Sequence, residues 1–346
     1  DTSPKHFLAE LSEEVRSLAL KAGRPIYLLA ENDKNDRSLL EPSSNHGFGM
    51  DAQYLDDLHH LFFNFLTGAS DAYFKDYRGT TTAALAKGLE QAWFFQPRLP
   101  ANLEQSHRTD PTGLEQRVVA GLNTHDQVGN VPPFKYLHHT AGLSKSLAAT
   151  ALLITCPKIP MFFQGEEFGC TNGFSYFTDF RGSDQALGDA VSRGRIDGFR
   201  CFSTYEGQDI PDPQAQETFY DSKVRWQDLE SSLHVAVRDI YARLIQIRKE
   251  HPAVDYKVAS AEEGVIIARS EGRDGRFLIT VANLMQQAVP VDSSRIPLLK
   301  DLRNWRFLCS TERRTGGSEP LVSLSKETVR LLFKGAGAIV YIAESG

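Results

Sequence analysis

Two acidic residues stand directly after apolar runs in this sequence, and carboxylates placed that way can carry acid/base or glycosyl chemistry. Asn123-Thr124-His125-Asp126-Gln127-Val128-Gly129-Asn130 comes after Arg117-Val118-Val119-Ala120-Gly121-Leu122, and Pro25-Ile26-Tyr27-Leu28-Leu29-Ala30 ends at Glu31-Asn32-Asp33. Apolar runs of this length, bounded by Gly and polar residues, predict buried strands. Parallel strands deliver the residues after them to the C-terminal edge of the sheet, where α/β folds keep their reactive groups. Glu31, Asp126 and the adjacent His125 are therefore candidate catalytic residues. A further apolar run, Ile159-Pro160-Met161-Phe162-Phe163, ends at Gln164-Gly165-Glu166-Glu167. Its acids read either as part of the same site or as charges favoured at a helix N-terminus.

The elements that must position these residues come in a repeating order. Ser3-Pro4 reads as an N-cap with Pro at the first helical position, and Phe7, Leu8, Leu11, Val15 and Leu18 recur at helical spacing up to Gly23. Gly47 to Ala52 is a shorter strand candidate, followed by a polar and aromatic segment from Gln53 to His60 and a helix from Leu61 to Leu66. Another helix runs from near Thr80 towards Trp93, with a polar, proline-containing loop from Pro100 to Thr112, and a further helix spans Leu143 to Leu153 before Pro157. Strand, loop and helix in repetition predict an α/β fold with a parallel sheet. From Thr171 to about Trp226 the chain reads as irregular, and a stretch of that length predicts a lid or rim over the site. An amphipathic helix then runs from Leu233 to His251-Pro252. Beyond Pro252, Gly264 to Ala268, Phe277 to Ala282, Val329 to Phe333 and Ala338 to Ile342 read as short strands of a separate antiparallel β domain. The expected division is 1–252 and 253–346.

Composition sets the wider limits. The 346 residues are 41% hydrophobic and 24% charged with a formal net charge of -6, as in an ordinary globular chain. No Lys/Arg run recurs and no apolar stretch reaches spanning length, so neither nucleic acid nor membrane is an expected partner. The four cysteines, Cys156, Cys170, Cys201 and Cys309, lack CxxC spacing. That pattern argues against a zinc site or a disulfide framework and for a reducing cytoplasm. No signal peptide is evident, and the sequence opens at Asp1 without Met, which leaves an upstream N-terminus open. Asp33, Asn35 and Asp36 resemble the start of a calcium loop, but the required Gly is absent and Arg37 intrudes. The pairs His59-His60 and His138-His139 lack the i, i+4 spacing of helical metal ligands. Gly335-Ala336-Gly337-Ala338 joins two strands and reads as a β-turn, not a dinucleotide loop. No metal or cofactor is expected.

Four strand ends together carry a resemblance. Leu28 to Asp33, Met50 to His60, Asn123 to Asn130 and Met161 to Phe168 resemble barrel strands five to eight of the α-amylase superfamily, and within it the malto-oligosyltrehalose trehalohydrolases. Phe174-Ser175-Tyr176-Phe177-Thr178-Asp179 and the run from Pro211-Asp212-Pro213-Gln214 through Thr218-Phe219 to Ser222-Lys223 extend the likeness over essentially the whole chain. It implies the second half of a (β/α)8 barrel followed by a C-terminal antiparallel β-sandwich. It also implies hydrolysis of the α-1,4-glucosidic bond next to the terminal trehalose of maltooligosyltrehalose. Glu31 would be the general acid/base, with a pKa raised by partial burial or a neighbouring carboxylate. Asp126 would stabilise the oxocarbenium-like transition state, with His125 as its hydrogen-bonding partner. Asp56, Asp57, His59 and His60 would recognise the trehalose end, and Asn123, Gln127 and Glu166 would complete the substrate-binding set. Tyr54, Phe174, Tyr176 and Phe177 would stack on sugar faces. Tyr54 stands where the resemblance leads one to expect Trp.

The same resemblance exposes an absence. The family's nucleophilic aspartate ends strand four in a Gly-Phe-Arg-x-Asp-Ala motif, placed before the helix that here begins after Ser3. The Gly-Phe-Arg of this chain, Gly198-Phe199-Arg200, continues as Cys201-Phe202 and falls in the rim. A retaining glycosidase without its nucleophile cannot form the glycosyl-enzyme intermediate, so these residues alone are expected to be inactive. A half-barrel would also expose a sheet edge and apolar faces, predicting low solubility or a covering partner surface. Two alternatives stay open: another superfamily enzyme such as a glucan branching enzyme, and a non-catalytic sugar-binding remnant.

Overall fold

The computed structural model describes residues 3–32, 35–94, 110–199, 210–312, 315 and 320–346. The loop expected from Pro100 to Thr112, apart from its last residues, Asp33 of the calcium-like loop, Cys201 and Arg200 lie outside the described residues.

Helix α1 spans Phe7–Ala22 and stops where Gly23 turns left-handed at φ 62°, returning its N–H to the carbonyls of Ala19 and Leu20. Its N-cap is His6, not Ser3: Nδ1 of His6 accepts from Leu8 N at 3.2 Å while the ring stacks on Phe48. With His6 satisfying the orphan donor, Ser3 and Pro4 stay outside the helix.

Four parallel strands form the first sheet in chain order: β1 (Leu29–Ala30), β2 (Ala52–Tyr54), β3 (Val118–Gly121) and β4 (Ile159–Met161). β3 is buried throughout, as its apolar run predicts. The buried strand expected from Pro25 to Ala30 is instead a two-residue edge strand, with Tyr27 68% and Leu29 47% exposed. Among the described residues β1 pairs only with β2, which leaves its outer flank open there. β2 begins where the Gly47 to Ala52 strand was expected to end. The preceding backbone is committed elsewhere: the Gly49 carbonyl accepts from Ser12 and Arg16, Arg117 donates to the Met50 and Asp51 carbonyls, and the Asp51 carboxylate accepts from Leu28 N. A Cβ at Gly47 would lie 2.2 Å from the Glu41 carbonyl oxygen, so the close turn requires glycine there.

Helix α2 covers Asp56–Thr67, starting five residues before the expected Leu61. The polar string from Asp56 to His60 hides a helical first turn whose Asp57, His59 and His60 are buried. Helix α3 (Thr82–Glu90) is capped by Thr81, which accepts from Ala84 N. At its other end the fully buried Lys158 donates to the carbonyls of Leu89 and Gln91 at 2.7 and 2.6 Å. Burial holds the Lys158 pKa below its ordinary value. Lys158→Met keeps the volume but orphans two carbonyls, and is expected to destabilise the fold by about 1–3 kcal/mol in denaturant unfolding.

Short helices α4 (His125–Gly129) and α5 (Leu137–Thr140) lead to α6 (Leu143–Thr155). The segment expected to be irregular from Thr171 to Trp226 contains the 15-residue α7 (Gln185–Phe199) and α8 (Gln216–Asp221). Gly198 and Phe199 close α7, so they belong to a helix and not to a loop. Helix α9 comes next at Ser232–Glu250, as its periodicity predicts.

The remainder is antiparallel. A five-stranded sheet runs β5 (Asp255–Ser260), β6 (Val265–Glu271), β7 (Arg276–Asn283), β12 (Gly337–Ser345), β9 (Leu302–Ser310), and a three-stranded sheet runs β10 (Leu321–Leu324), β11 (Val329–Phe333), β8 (Val289–Asp292). Alternation divides the larger sheet into two faces. Val265, Ile267, Ile279, Val281, Ile339 and Tyr341 pack with Val291, Leu331 and Phe333 of the smaller sheet. Ile266, Ala268, Leu278, Ala282, Ala338 and Val340 join the core of α2, α3, α6 and α9. Strands β5, β8, β9 and β10 escape the sequence reading because their residues are largely polar or exposed, β10 entirely so, and β8 carries Pro290. Among the described residues no helix is long and apolar enough to cross a membrane.

Candidate active site

The four parallel strands end at the same sheet edge, with the candidate residues just beyond them. Glu31 comes directly after β1, Tyr54 closes β2 with Asp56 in the first turn of α2, and Thr124 to Asn130 come after β3. With His60 and Met161 of β4 they line a cleft of about 370 Å³ whose walls are Glu31, Tyr54, Asp56, His60, Thr124, His125, Asp126, Gln127, Asn130 and Met161. Three carboxylates therefore face one cavity. Partial desolvation in the cleft wall, then the Asp126, Asp57 and Glu31 carboxylates, raise the Asp56 pKa, while the hydrogen bond from Gln127 Nε2 at 3.2 Å opposes the rise. Asp56→Asn keeps an acceptor for Gln127 and removes one like charge. Thermal denaturation at about pH 8 is expected to show a higher Tm for this variant than for the parent, with the gap closing at about pH 4 as Asp56 protonates.

The turn after β3 is built locally. Thr124 caps α4 by accepting from Gln127 N, and its hydroxyl also meets the Gln127 side chain, which in turn reaches Asp56. Asn130, one turn on, donates from Nδ2 to Asp126 Oδ1 at 2.9 Å. Arg195 of α7 donates to Asn130 Oδ1 at 2.8 Å and to the Gly129 carbonyl, so the rim helix orients Asp126 through Asn130. Neither Asn130 nor Arg195 was expected to have a site role. Asn130 lies inside the Asp126 motif, whereas Arg195 is 65 residues further along with no local signature. The His125 and Asp126 side chains are exposed, and His125 Nε2 lies 3.6 Å from Asp126 Oδ1, too long for the expected hydrogen bond. Glu31 is exposed as well, because β1 is the open edge of the sheet, so the partial burial expected around it is not present. The neighbouring carboxylates are present.

No protein-family model matches the chain. Malto-oligosyltrehalose trehalohydrolases are similar to it: that of Arthrobacter ramosus is 35% identical over 254 residues, covering 73% of this chain and 43% of the relative. That of Deinococcus radiodurans is 34% identical, covering 73% and 41%, and that of Saccharolobus solfataricus 32% identical, covering 76% and 43%. The chain is similar to malto-oligosyltrehalose trehalohydrolases over about three quarters of its length. It spans less than half the length of these relatives. A Salmonella typhimurium structure assigned to the α-amylases superposes over 99% of this chain and 55% of its own, with a TM-score of 0.78 and 27% identity. A trehalose-6-phosphate hydrolase from Bacillus licheniformis shares the fold, with a TM-score of 0.58 over 98% of this chain and 59% of its own at 14% identity.

Four residues expected to bind substrate lie behind the cleft wall. Asp57 is buried and already holds three donors: Tyr77 Oη at 2.6 Å, Asn35 Nδ2 at 2.9 Å and Phe94 N at 2.9 Å. His59 is buried among Phe63, Phe74 and His60, and desolvation holds its pKa well below the ordinary range. Asn123 and Glu166 are buried against each other, Asn123 Nδ2 donating to Glu166 Oε2 at 2.8 Å and Asn123 Oδ1 accepting from Leu137 N at 2.8 Å. Glu166 also accepts from Phe163 N at 3.2 Å and from Tyr241 Oη of α9 at 3.3 Å. These four support the wall instead of reaching the cavity. Burial pushes the Glu166 pKa up to about 8 against its three donors. His60 does line the cleft, and desolvation lowers its pKa to about 4, so it is neutral at pH 7. Tyr176 stands outside the cleft with Arg195 stacked over its ring at 4.8 Å.

Proposed function

We propose that this chain carries the acid/base and the transition-state-stabilising carboxylates of a retaining glycosidase that releases trehalose from maltooligosyltrehalose. The observation that carries this reading is the convergence of Glu31, Asp56 and Asp126 in one cleft at the C-terminal ends of parallel strands, in a chain similar to trehalohydrolases. Glu31 gives its proton to the glycosidic oxygen as the bond to trehalose breaks, and its carboxylate then takes a proton from the water that attacks the glycosyl carbon. The exposed Asp126, held by Asn130, faces the positive charge that develops at that carbon. Asp56, Gln127 and His60 hold hydroxyls of the trehalose end, with Tyr54 as an apolar wall.

The nucleophile in this reading is a carboxylate from outside these residues. No Gly-Phe-Arg-x-Asp occurs in the sequence, and β1 offers an unpaired flank beside Glu31 on which a further parallel strand would seat it. The four-stranded sheet then forms half of a (β/α)8 barrel within 1–252, and 253–346 form a β-sandwich. The buried free thiols of Cys156 and Cys170 suit a reducing cytoplasm.

Product analysis tests the substrate. A chain extended upstream through the nucleophile motif is expected to release free trehalose from maltooligosyltrehalose and to add no branch points to linear α-1,4-glucan. Accumulation of α-1,6 branches would instead support a glucan branching enzyme.

A further inference from the structure

Two stretches that the catalytic reading leaves unused fold against each other beside the cleft: Phe174 to Asp179, and Pro211 to Lys223. Thr178 N donates to the Pro213 carbonyl at 2.8 Å, Phe180 N and Arg181 N donate to Gln214 Oε1 at 2.9 and 3.1 Å, and Gln214 Nε2 donates to Thr178 Oγ1. Arg181, just after the first stretch, pairs with Asp212 of the second at 2.7 Å and with Asp189 of α7 at 2.9 Å. Between them lies a pocket of about 460 Å³ lined by Phe177, Thr178, Asp179, Gln214, Gln216 and Phe219, with Ala215 at its base. The Phe177 and Phe219 rings meet edge to face at 5.1 Å and are 37% and 40% exposed. The exposed Asp179 carboxylate has no hydrogen-bond partner among the described residues.

Ring faces beside a carboxylate, an amide and a hydroxyl match a pyranose, whose C–H face stacks on an aromatic ring while its hydroxyls donate and accept at the rim. An apolar peptide would use the rings and leave Asp179 desolvated and unpaired. A chain of rings also links the pocket to the segment after β4, the strand whose Met161 lines the cleft. Phe163, just after β4, meets Phe174 at 5.0 Å, Phe174 meets Phe177 at 6.1 Å, and Phe177 meets Phe219. Phe174 packs on Gly129 at the end of α4, where an added Cβ would lie 3.3 Å from its ring.

We propose that the pocket between Phe177 and Phe219 is an accessory glucan-binding subsite, holding glucose units of the α-1,4 chain remote from the bond that is cleaved. This rests on the proposed glucan substrate of the cleft. Because the pocket walls are already fixed by Gln214 and Arg181, a glucan binds there without reordering them.

Hydrogen exchange read by mass spectrometry on the 346-residue chain, with and without millimolar maltohexaose, tests the site. Slowed exchange in 174–181 and 212–221 is expected. Phe177→Ala and Phe219→Ala remove side chains already more than a third exposed, so both variants should melt as the parent does, and each is expected to weaken maltohexaose binding about tenfold in calorimetry. Slowing confined to 54–60 and 123–130, or equal affinities in all three proteins, would overturn the subsite while leaving the cleft reading intact. Slowing at the pocket alone would keep the subsite, and no slowing anywhere would remove it, while the cleft reading, whose trehalose end maltohexaose lacks, stands or falls on trehalose release.

Discussion

Glu31→Gln, made in a chain extended to include the nucleophile, is expected to lower kcat on maltooligosyltrehalose by about 10³- to 10⁴-fold with little change in KM. Glutamine matches glutamate in size but can neither give a proton to the departing trehalose oxygen nor take one from the attacking water. The loss should depend on the leaving group. An aryl maltooligoside whose nitrophenolate departs unprotonated bypasses the first need, and azide, which needs no general base, bypasses the second. The variant should therefore recover most of its rate on the aryl substrate when azide is added, with a glycosyl azide as product. Asp126→Asn should show no such recovery, because it weakens charge stabilisation in both steps. Equal losses for Glu31→Gln on both substrates would remove Glu31 from the acid/base role. Glu31 is exposed at the open flank of β1, and a strand seated there would bury it beside Asp56. The acidity it needs would then come from that added cover and from the neighbouring carboxylates.

The second large effect is on stability. Glu166 is buried with Asn123, Phe163 N and Tyr241 all donating to it. Glu166→Ala leaves three donors unpaired around a cavity and should destabilise the chain by about 3–5 kcal/mol. Glu166→Gln fills the volume and keeps one acceptor oxygen, while the Tyr241 hydroxyl can turn to accept from the new amide, so its cost should be smaller. The pH dependence separates the two forms of the native residue. The folded pKa, about 8, lies above the ordinary 4.5. Between those values the unfolded chain has released a proton that the folded chain still holds. Stability should therefore fall with rising pH across that window, by up to about 1.4 kcal/mol per unit from this group. Urea midpoints at several pH values should show the fall in the parent and a flatter line in Glu166→Gln. The residual slope should come from Glu312, which partial burial pushes up to about 7, and, with opposite sign below about pH 6.5, from the buried His60 and His138, whose pKa burial lowers to about 4. A parent and variant with parallel pH profiles would mean that Glu166 is ionised throughout.

The features legible in the sequence rest on local information. The position of His125 and Asp126 after β3 was legible because a buried apolar strand and its C-terminal turn are contiguous, and the cap that fixes the turn, Thr124, stands beside them. The amphipathic period of α9 and the alternation of β6, β7, β11 and β12 were legible for the same reason. The hidden features depend on distant partners. Glu166 looks like an available acid until Tyr241, 75 residues away, is packed over it, and Asp57 looks like its neighbour Asp56 until Tyr77 and Phe94 close around it. The helical phase of α2 turns Asp56 and His60 towards the cleft and His59 into the core, a distinction that adjacency in sequence does not reveal. Arg195 gains its role only when α7 folds back on α4.

The most direct measurement is chromatographic detection of free trehalose after incubating maltooligosyltrehalose with the 346-residue chain and, in parallel, with the same chain extended upstream through the nucleophile motif. Trehalose released by the extended chain alone is the predicted result, since the proposed mechanism takes its nucleophilic carboxylate from outside these residues. Trehalose released by the 346-residue chain by itself would contradict it, and would place the nucleophile within that chain.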